Sequence, residues 1–547
     1  MFPGGPAFSR FKNESPGFSG RKEFTMMKRR LPFSRVALFA IVWAAALSPL
    51  AADVRLPGVL SDHMVLQRDK PVTIWGWAAP GESVAVTLAG QETKTVASPD
   101  GRWKVVFPAL QPGGGPLELT VRGESGPAAV VKDILVGEVW LCSGQSNMEW
   151  SLSQTLSPLP EILRANHPGI RFLRVPRRAS EQAQEDVEAK WTICLPETAG
   201  PFSAVGYYFG LELHQKLDVP IGLIESAWGG TLIEPWTPSA GYAAVPETKP
   251  ILEKLEGQMT EYRASLELAL PKWEEWIRAT RKALAEKTAM PVKPNLSPHP
   301  FDSPQTPMAL YNGMIHPLIN FAIRGAIWYQ GEANRNDGLL YEKKMEALIR
   351  GWRQVWKIED LAFYYVQIAP FNYGVERDIS GSDVPDFLRL PLLWEAQTNA
   401  LHIANTGMVV VNDIADLNDI HPRNKRDVGI RLTLWARAKT YGENELVYSG
   451  PLYKSMSVEG RAAIISFDHV GGGLISNDGQ PLRWFEIAAE DRIFYKAEAV
   501  IDGDRVVIRS PKVAAPKFVR FGWHQLAVPN LTNTEGLPAS PFRTDRW

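Results

Sequence analysis

A serine in a short polar segment is the strongest chemical signal in the sequence. Ser146 lies in CSGQSNM, residues 142–148. The apolar run VWLC at 139–142 leads into this segment, and a helix can begin at the residues that follow it. A serine on a strand-to-helix turn at the carboxyl edge of a parallel sheet is exposed to ligands, and nearby backbone N–H groups can face the oxygen of the bond it attacks. Serine is also a favoured helix N-cap, so the segment alone supports both roles about equally.

A nucleophilic serine needs a base, because a free hydroxyl is a weak nucleophile at neutral pH. His421 is the best candidate among nine histidines, since it stands in the loop NDIHP between a predicted strand at 408–411 and a predicted helix near 428. Asp419 can orient the imidazole and stabilise its charged form. A lone loop histidine is more often structural, so it is the combination of serine, turn and carboxylate that predicts a catalytic set.

Four ordered segments carry a resemblance to a known family. They are GQSNM at 144–148, SAWGGT with EPW at 226–236, WYQGEAN at 328–334 and DIHPRNK at 419–425. In this order they resemble the nucleophile, glycine, asparagine and histidine blocks of the SGNH hydrolases and, within them, the sialate O-acetylesterase-like carbohydrate esterases. The resemblance implies a serine esterase that removes acetyl groups from sugars.

The resemblance also implies a role for each block. Ser146 would attack the acetyl carbonyl, and donors already in place would bind the oxygen as it becomes negative. These donors would be the Ser146 N–H, a backbone N–H of Gly229 or Gly230, and the Asn334 side chain. Loss of one such donor costs about 3–4 kcal/mol of transition-state stabilisation. Such a mechanism requires no metal and no organic cofactor.

Three further polar residues are predicted near the same sheet edge. We expect Gln145, Gln330 and Glu332 to bind sugar hydroxyls, to support the loops, or to supply another oxyanion donor. A triad that uses Glu332 is chemically possible, but the resemblance favours a carboxylate in the histidine block.

The third member of that triad departs from the family pattern. Many SGNH enzymes have an aspartate three residues before the histidine, where this chain has Asn418. Asp419 is two residues before His421, and Asp416 is five residues before it. We favour Asp419, with Asp416 or a Ser–His dyad as the alternatives.

The pattern of residue types along the chain indicates the strands and helices that must position these residues. Short strand-like runs with Pro and Gly between them predict a β-sandwich-like domain at 53–132. Alternating strands and helices predict an α/β domain at 133–445 that contains a helical hairpin at 250–290, broken at Pro271. Strand-like runs return at 446–547 and predict a C-terminal β-sandwich-like domain. The resemblance implies that the α/β domain is a flavodoxin-like, three-layer α/β/α unit with a parallel sheet.

The N-terminus is typical of an export signal. Residues 1–52 contain KRR, a short apolar run at 36–47 and LAA before Asp53, so we expect cleavage after Ala52 and a secreted or periplasmic protein. Residues 1–25 precede a signal start at Met26 or Met27, and we expect them to reflect an upstream start codon. After cleavage we expect no membrane span. Cys142 and Cys194 either close a disulfide in this compartment or remain buried free thiols.

Composition narrows the classes of partner. The net charge is −1 and no basic run occurs beyond the N-terminus, which argues against nucleic acid. The 19 tryptophans favour a carbohydrate partner weakly, since aromatic faces stack on sugar rings. We therefore predict an esterase for acetylated mono-, oligo- or polysaccharides, with acetylated sialic acid and acetylated xylan both open. The alternative is a catalytically silent sugar-binding protein with the same fold.

Overall fold

The computed structural model describes residues 53–113, 115–124, 126–374 and 385–547. The predicted signal peptide, with its cleavage position at Ala52, lies outside the described residues. In the part of the chain that is described, no helix is both long and apolar enough to cross a membrane.

Mostly antiparallel strands form the N-terminal region, although the first of them pairs parallel with the last. The strands are β1 (Val65–Gln67), β2 (Val72–Trp77), β3 (Ser83–Leu88), β4 (Gln91–Val96), β5 (Arg102–Phe107), β6 (Leu117–Arg122) and β7 (Ala129–Gly144). β2 pairs with β5, while β3 pairs with β4 and β6. Buried and exposed residues alternate along β5, as expected for a strand with one face in the core. These strands supply the first of the additional β-rich regions that the sequence predicts.

β7 joins this region to the rest of the molecule. It is 16 residues long. Its first half pairs antiparallel with β6, and residues 138–144 lie between parallel neighbours in the central sheet. The predicted boundary between 132 and 133 therefore falls inside a single strand, and the N-terminal side chains share one buried core with the α/β region.

The central sheet is mostly parallel, as predicted. Its other strands are β8 (His167–Arg174), β9 (Trp191–Cys194), β10 (Ile221–Ala227), β11 (Gly325–Tyr329), β12 (Ala362–Val366) and β13 (Thr406–Val409). The order is β13-β12-β11-β7-β10-β8-β9, and β9 alone runs antiparallel to its neighbour. Every residue of β10, β11 and β12 is buried, which is typical of a sheet covered on both faces.

The described helices lie around the sheet, and several of them pack on its two faces. They are α1 (Ser146–Glu149), α2 (Pro158–Arg164), α3 (Pro196–Ala199), α4 (Ala204–Leu217), α5 (Ser239–Ala244), α6 (Lys249–Glu286), α7 (Leu340–Trp356), α8 (Asp386–Asn399) and α9 (Lys425–Trp435). Trp140 of β7 packs on Phe209 of α4, with ring centroids 5.0 Å apart. Trp328 of β11 packs on Trp352 of α7 at 5.9 Å. Since Trp140 pairs with Gly325, three residues before Trp328, the two indoles point to opposite faces.

Shorter helical turns lie between these elements. The 3-10 turns are Leu152–Gln154, Glu234–Trp236, Pro246–Thr248, Pro300–Asp302, His316–Leu318, Glu332–Asp337, Ala400–His402 and Asn412–Ile414, and the π turns are Tyr311–Ile315 and Ala436–Thr440.

The predicted hairpin at 250–290 is wrong, because this segment is one helix. α6 runs through 38 residues with Pro271 inside it. A proline in a helix removes one backbone hydrogen bond and costs about 3 kcal/mol relative to alanine. Here the helix is largely exposed, with only Leu255 and Ala283 buried, so water can reach the released carbonyl. The proline therefore does not force the chain to reverse.

A second β-rich region ends the chain, as predicted. Its strands are β14 (Leu452–Glu459), β15 (Ala462–Asp468), β16 (Leu474–Ser476), β17 (Phe485–Ala488), β18 (Tyr495–Lys496), β19 (Glu498–Asp502), β20 (Arg505–Arg509), β21 (Phe518–Phe521), β22 (Leu531–Asn533) and β23 (Phe542–Arg543). They surround a separate buried cluster that includes Ile487 and Phe521. Arg543 is paired with Glu395 of α8, which ties this region to the α/β part.

The two cysteines are free thiols, and both are buried. Of the two alternatives for Cys142 and Cys194, the structure contains the buried thiols.

Candidate active site

The loops that follow four parallel strands meet at one edge of the central sheet. Ser146 follows β7, Gly229 follows β10, Glu332 follows β11, and His421 lies in the loop between β13 and α9. The carboxyl ends of parallel strands share an edge, so residues distant in sequence are brought together there. The Oγ of Ser146 lies 2.9 Å from Nε2 of His421 although 275 positions separate them.

Backbone geometry at Gly144 places the serine on its turn. Gly144 has φ +137°, and a Cβ there would lie 2.2 Å from the carbonyl oxygen of Tyr329. The next residue, Gln145, donates its N–H to that same carbonyl at 3.0 Å. The chain then enters α1 at Ser146, whose N–H, at the first position of the helix, has no intrahelical acceptor. The serine hydroxyl and this N–H therefore stand at the same short turn.

His421 lies between the serine and a carboxylate. Its Nδ1 is 3.5 Å from Oδ1 of Asp419, and its backbone N–H donates to the same oxygen at 3.0 Å. The ring of Trp150 stacks on the imidazole with centroids 4.5 Å apart. Asp416 instead accepts the backbone N–H of Asn418 at 2.9 Å. Of the two aspartates that the sequence left open, Asp419 is the one beside the imidazole.

The surroundings of His421 favour its neutral form. Burial lowers the pKa of His421, the positive charge of Lys425 lowers it further, and Asp419 acts in the opposite direction. The pKa therefore lies below its ordinary value of 6.5. A neutral imidazole with a hydroxyl at hydrogen-bond distance is competent to act as a general base.

A buried hydrogen-bond network lies directly beneath the histidine loop. Asn147, 1% exposed, donates through Nδ2 to Oε1 of Glu332 and, at 3.1 Å, to the carbonyl of Ile420. Its Oδ1 accepts from Nζ of Lys425, which is fully buried. One amide thus links the loops after β7 and β11 to the residue that precedes His421. Asn147 and Lys425 lie within two of the sequence motifs. Nothing in their spacing indicates that the two side chains meet, so the sequence alone assigns them no role.

Burial changes the titration of both charged groups in this network. It lowers the pKa of Lys425 to about 7, against the opposing effects of Glu332 and Asp419. It also raises the pKa of Glu332, which the hydrogen bond from Asn147 partly offsets. The ammonium group lies 5.2 Å from the centroid of the Tyr329 ring. This pair of charges is enclosed by protein and faces the underside of the site.

The placement of Gln330 and Glu332 corrects the prediction that they bind sugar hydroxyls. Gln330 is completely buried, and its Nε2 donates to Oδ1 of Asn334 at 2.6 Å and to the carbonyl of Thr231 at 3.1 Å. Its Oε1 accepts from the Tyr341 hydroxyl. Glu332 is only 8% exposed. Both residues support the loops, which was one of the roles expected for them.

Gln145 differs from these two residues. Its Oε1 accepts from Nε2 of Gln330 at 3.2 Å and from the N–H of Ala333 at 3.3 Å. These contacts anchor the carbonyl side of the amide. Within the described ranges nothing accepts a hydrogen bond from its Nε2, which leaves one amide donor beside Ser146 available to a ligand.

The side chain of Asn334 has hydrogen-bond partners that the sequence did not indicate. Its Nδ2 donates to Oε2 of Glu234 at 3.0 Å and to Oδ2 of Asp337 at 2.7 Å, and its Oδ1 accepts the N–H of Ile233 at 2.9 Å. Lys344 binds the same two carboxylates. Both amide hydrogens of this buried side chain are therefore taken. This placement does not support the expected oxyanion role and makes Asn334 a link between the loops after β10 and β11.

The two glycines after β10 are not equivalent. The N–H of Gly229 donates to Oε2 of Glu149 at 2.8 Å, and that carboxylate also binds Arg177. A Cβ on Gly229 would lie 3.2 Å from the Cβ of Ser146. Gly230 is exposed with φ +76°, and its N–H has no acceptor among the described residues. Of the two candidates for an oxyanion donor, Gly230 has the available N–H.

Among the described residues, no group of three or more His, Cys, Asp or Glu side chains is placed to hold a metal ion.

Comparison with known proteins identifies the family to which the chain belongs. The model of the family described as carbohydrate esterase, sialic acid-specific acetylesterase, matches residues 136–264 and 302–432. The sialate O-acetylesterase of Rattus norvegicus is 31% identical over 454 residues, which cover 76% of this chain and 79% of the relative. The sialate O-acetylesterase of Homo sapiens is 30% identical, over 78% of this chain and 79% of the relative.

A solved structure extends the similarity to the fold. A carbohydrate acetylesterase from Xanthomonas citri is 38% identical and superimposes with a TM-score of 0.75, covering 90% of this chain and 100% of that chain. The chain therefore belongs to the sialic acid-specific acetylesterase family of carbohydrate esterases, which are carboxylic ester hydrolases.

Proposed function

We propose that this enzyme removes O-acetyl groups from a carbohydrate through an acetyl-enzyme intermediate on Ser146. His421 is the general base, and Asp419 orients it. The observation that carries the proposal is the 2.9 Å contact between Oγ of Ser146 and Nε2 of His421, with a carboxylate on the other side of the ring. A hydroxyl, a neutral imidazole and a carboxylate in this order form the set that activates serine in acyl transfer.

The reaction then proceeds in two steps. Ser146 Oγ attacks the acetyl carbonyl carbon while Nε2 of His421 takes the hydroxyl proton. The tetrahedral intermediate collapses, its bond to the sugar oxygen breaks, and the sugar leaves as an alcohol with the proton from His421. Water next attacks the acetyl-enzyme with His421 again as base, which releases acetate and restores Ser146.

Three donors support the negative oxygen of each tetrahedral intermediate. We assign this role to the backbone N–H groups of Ser146 and Gly230 and to Nε2 of Gln145. Two of these are fixed backbone groups, and the amide of Gln145 is anchored through its Oε1. Donors that are already oriented need no reorganisation during the reaction, and each contributes about 10²–10³ in rate.

The family supports the class of substrate, and the N-terminal sequence supports the cellular location. Relatives act on acetylated sialic acid by name, and we propose an acetylated sugar for this enzyme without choosing between sialic acid and xylan. We also propose export with cleavage after Ala52, which the N-terminal sequence of the mature protein tests. The silent sugar-binding alternative has no support from the site, since the serine and its base are in contact.

Replacement of the nucleophile tests the proposal. Ser146→Ala removes the attacking oxygen, so we expect hydrolysis of 4-nitrophenyl acetate to fall at least about 10³-fold. Ser153→Ala, at an exposed serine seven residues away, is the matched control and should keep the wild-type rate. A folded Ser146→Ala enzyme with wild-type activity would show that another group performs the attack.

The two aspartates are distinguished by a paired substitution. Asp419→Asn leaves the shape of the side chain but removes the charge beside Nδ1, so we expect kcat/KM to fall by about 10²- to 10⁴-fold. Asp416→Asn, at an exposed carboxylate, should change it by less than about threefold. The reverse order would transfer the role to Asp416, and two near-normal variants would indicate a Ser–His dyad.

The buried ammonium of Lys425 predicts a shift in the pH profile. Activity requires neutral His421, so kcat/KM rises with pH through the pKa of this group. The nearby positive charge of Lys425 lowers that pKa. In Lys425→Met the charge is absent, the pKa of His421 rises, and the acidic limb of the profile moves to higher pH.

The control for this shift is Arg426→Met, which removes an exposed charge at the next position and should leave the acidic limb in place. A limb that stays where it is in Lys425→Met, or moves to lower pH, would contradict the assignment.

A further inference from the structure

A large cleft lies next to the loop that carries Gly230. It has a volume of about 700 Å³ and lies between α6 and residues 297–307. Pockets of roughly 300–1,000 Å³ are the size at which proteins bind ligands. None of the residues in the proposed mechanism lines this cleft, so its role is separate from acyl transfer.

The wall of the cleft is continuous with the catalytic edge. Leu232 and Glu234 line the cleft, and they follow Gly230 directly in the chain. Gln305, also in the lining, donates through Nε2 to the carbonyl of Gly230 at 2.9 Å, and its Oε1 accepts the N–H of Leu232 at 3.0 Å. On its other side this loop packs on the serine turn through Gly229. A substrate held at Ser146 therefore has the cleft beside it.

One face of α6 presents hydrogen-bonding groups to the cleft. Lys254, Gln258, Glu261, Tyr262 and Ser265 all line it, and their three- and four-residue spacing puts them on one helical face over about 16 Å. The side chains of Lys254, Gln258 and Glu261 are exposed and have no hydrogen bond or ion pair with any described residue. They form a row of donors and acceptors that is open to a ligand.

The chemistry of this row matches neutral sugars. Lys254 and Glu261 carry opposite charges, which leaves the row without a net charge, and Gln258 offers both an amide donor and an amide acceptor. Tyr262 adds an aromatic ring, held edge-on by His299 at 4.8 Å. Hydroxyl groups donate and accept in the same way, and a sugar ring has an apolar face for the aromatic side chain.

The cleft is also partly outside the segment that the family shares. The family model matches up to residue 264 and resumes at 302. Ser265, Ser297 and Pro300, which line the cleft, fall in the interval between the two matches. The catalytic edge thus lies within the matched residues, while part of the cleft lies outside them. Such a division is expected where chemistry is shared and substrate selection differs.

We infer that the cleft binds the sugar units attached to the acetylated sugar, and that the enzyme therefore acts on a neutral acetylated oligosaccharide or polysaccharide chain in preference to a monosaccharide. This inference rests on the proposed function. It assigns Lys254 and Gln258 a role in substrate binding that is distinct from the reaction at Ser146.

The test measures how activity depends on the number of sugar units in the substrate, both in the wild-type enzyme and in a variant of the polar row on α6. The substrates are acetylated xylotetraose and cellotetraose, each with its acetylated monosaccharide, and 4-nitrophenyl acetate, which is too small to reach the cleft. The wild-type enzyme should prefer at least one tetrasaccharide to its monosaccharide. In the double variant Lys254→Ala/Gln258→Ala we expect kcat/KM for that tetrasaccharide to fall about tenfold, mainly through KM, because two hydrogen bonds are lost.

The controls separate this inference from the proposed function. Hydrolysis of 4-nitrophenyl acetate should stay within about twofold in the double variant, since alanine is a good helix former and both positions are exposed. Glu256→Ala/Arg263→Ala, on the opposite face of α6, should leave all substrates unchanged.

Two results would overturn the inference: no preference for either tetrasaccharide in the wild-type enzyme, or an equal preference in the double variant. Wild-type enzyme that is inactive on 4-nitrophenyl acetate would instead overturn the proposed mechanism.

Discussion

The hydrogen bonds of Asn147 are the constraint on which the site depends. Its single amide binds the carboxylate of Glu332, the ammonium of Lys425 and the carbonyl of Ile420. A charge buried without a partner costs several kcal/mol, so neither charged group is tolerated there unless the loops meet. Their meeting brings the backbone before His421 against the serine turn. The parallel sheet supplies the edge, and this network sets the distance across it.

The same network explains how the base can be neutral beside a carboxylate. Asp419 favours the imidazolium form of His421, whereas burial and Lys425 disfavour it. The balance keeps the pKa of His421 below its ordinary value. In the proposed mechanism the neutral imidazole accepts a proton from Ser146. We propose that Asp419 then stabilises the charge as it forms. The stabilisation is thus available in the transition state, where it lowers the barrier.

Much of this arrangement could be predicted from the sequence, since strand-like runs followed by polar turns place residues at a parallel-sheet edge. Ser146 and His421 were predicted in this way, and the structure brings them together. The partner of a buried amide cannot be predicted in this way. Asn334 has the expected position in its motif, yet its donors are bound to Glu234, 100 positions earlier, and to Asp337. The continuity of α6 through Pro271 could not be predicted either, because a proline inside a helical pattern signals a break and the sequence does not show that the helix continues past it.

Covalent labelling tests whether Ser146 is chemically activated, as we propose. A fluorophosphonate reacts with serine only when a base removes its proton, so treatment of the mature enzyme followed by peptide mass spectrometry locates the activated residue. The account predicts one adduct, on Ser146, formed in step with the loss of esterase activity. Loss of activity with the adduct on another residue, or full labelling of Ser146 with activity retained, would contradict it.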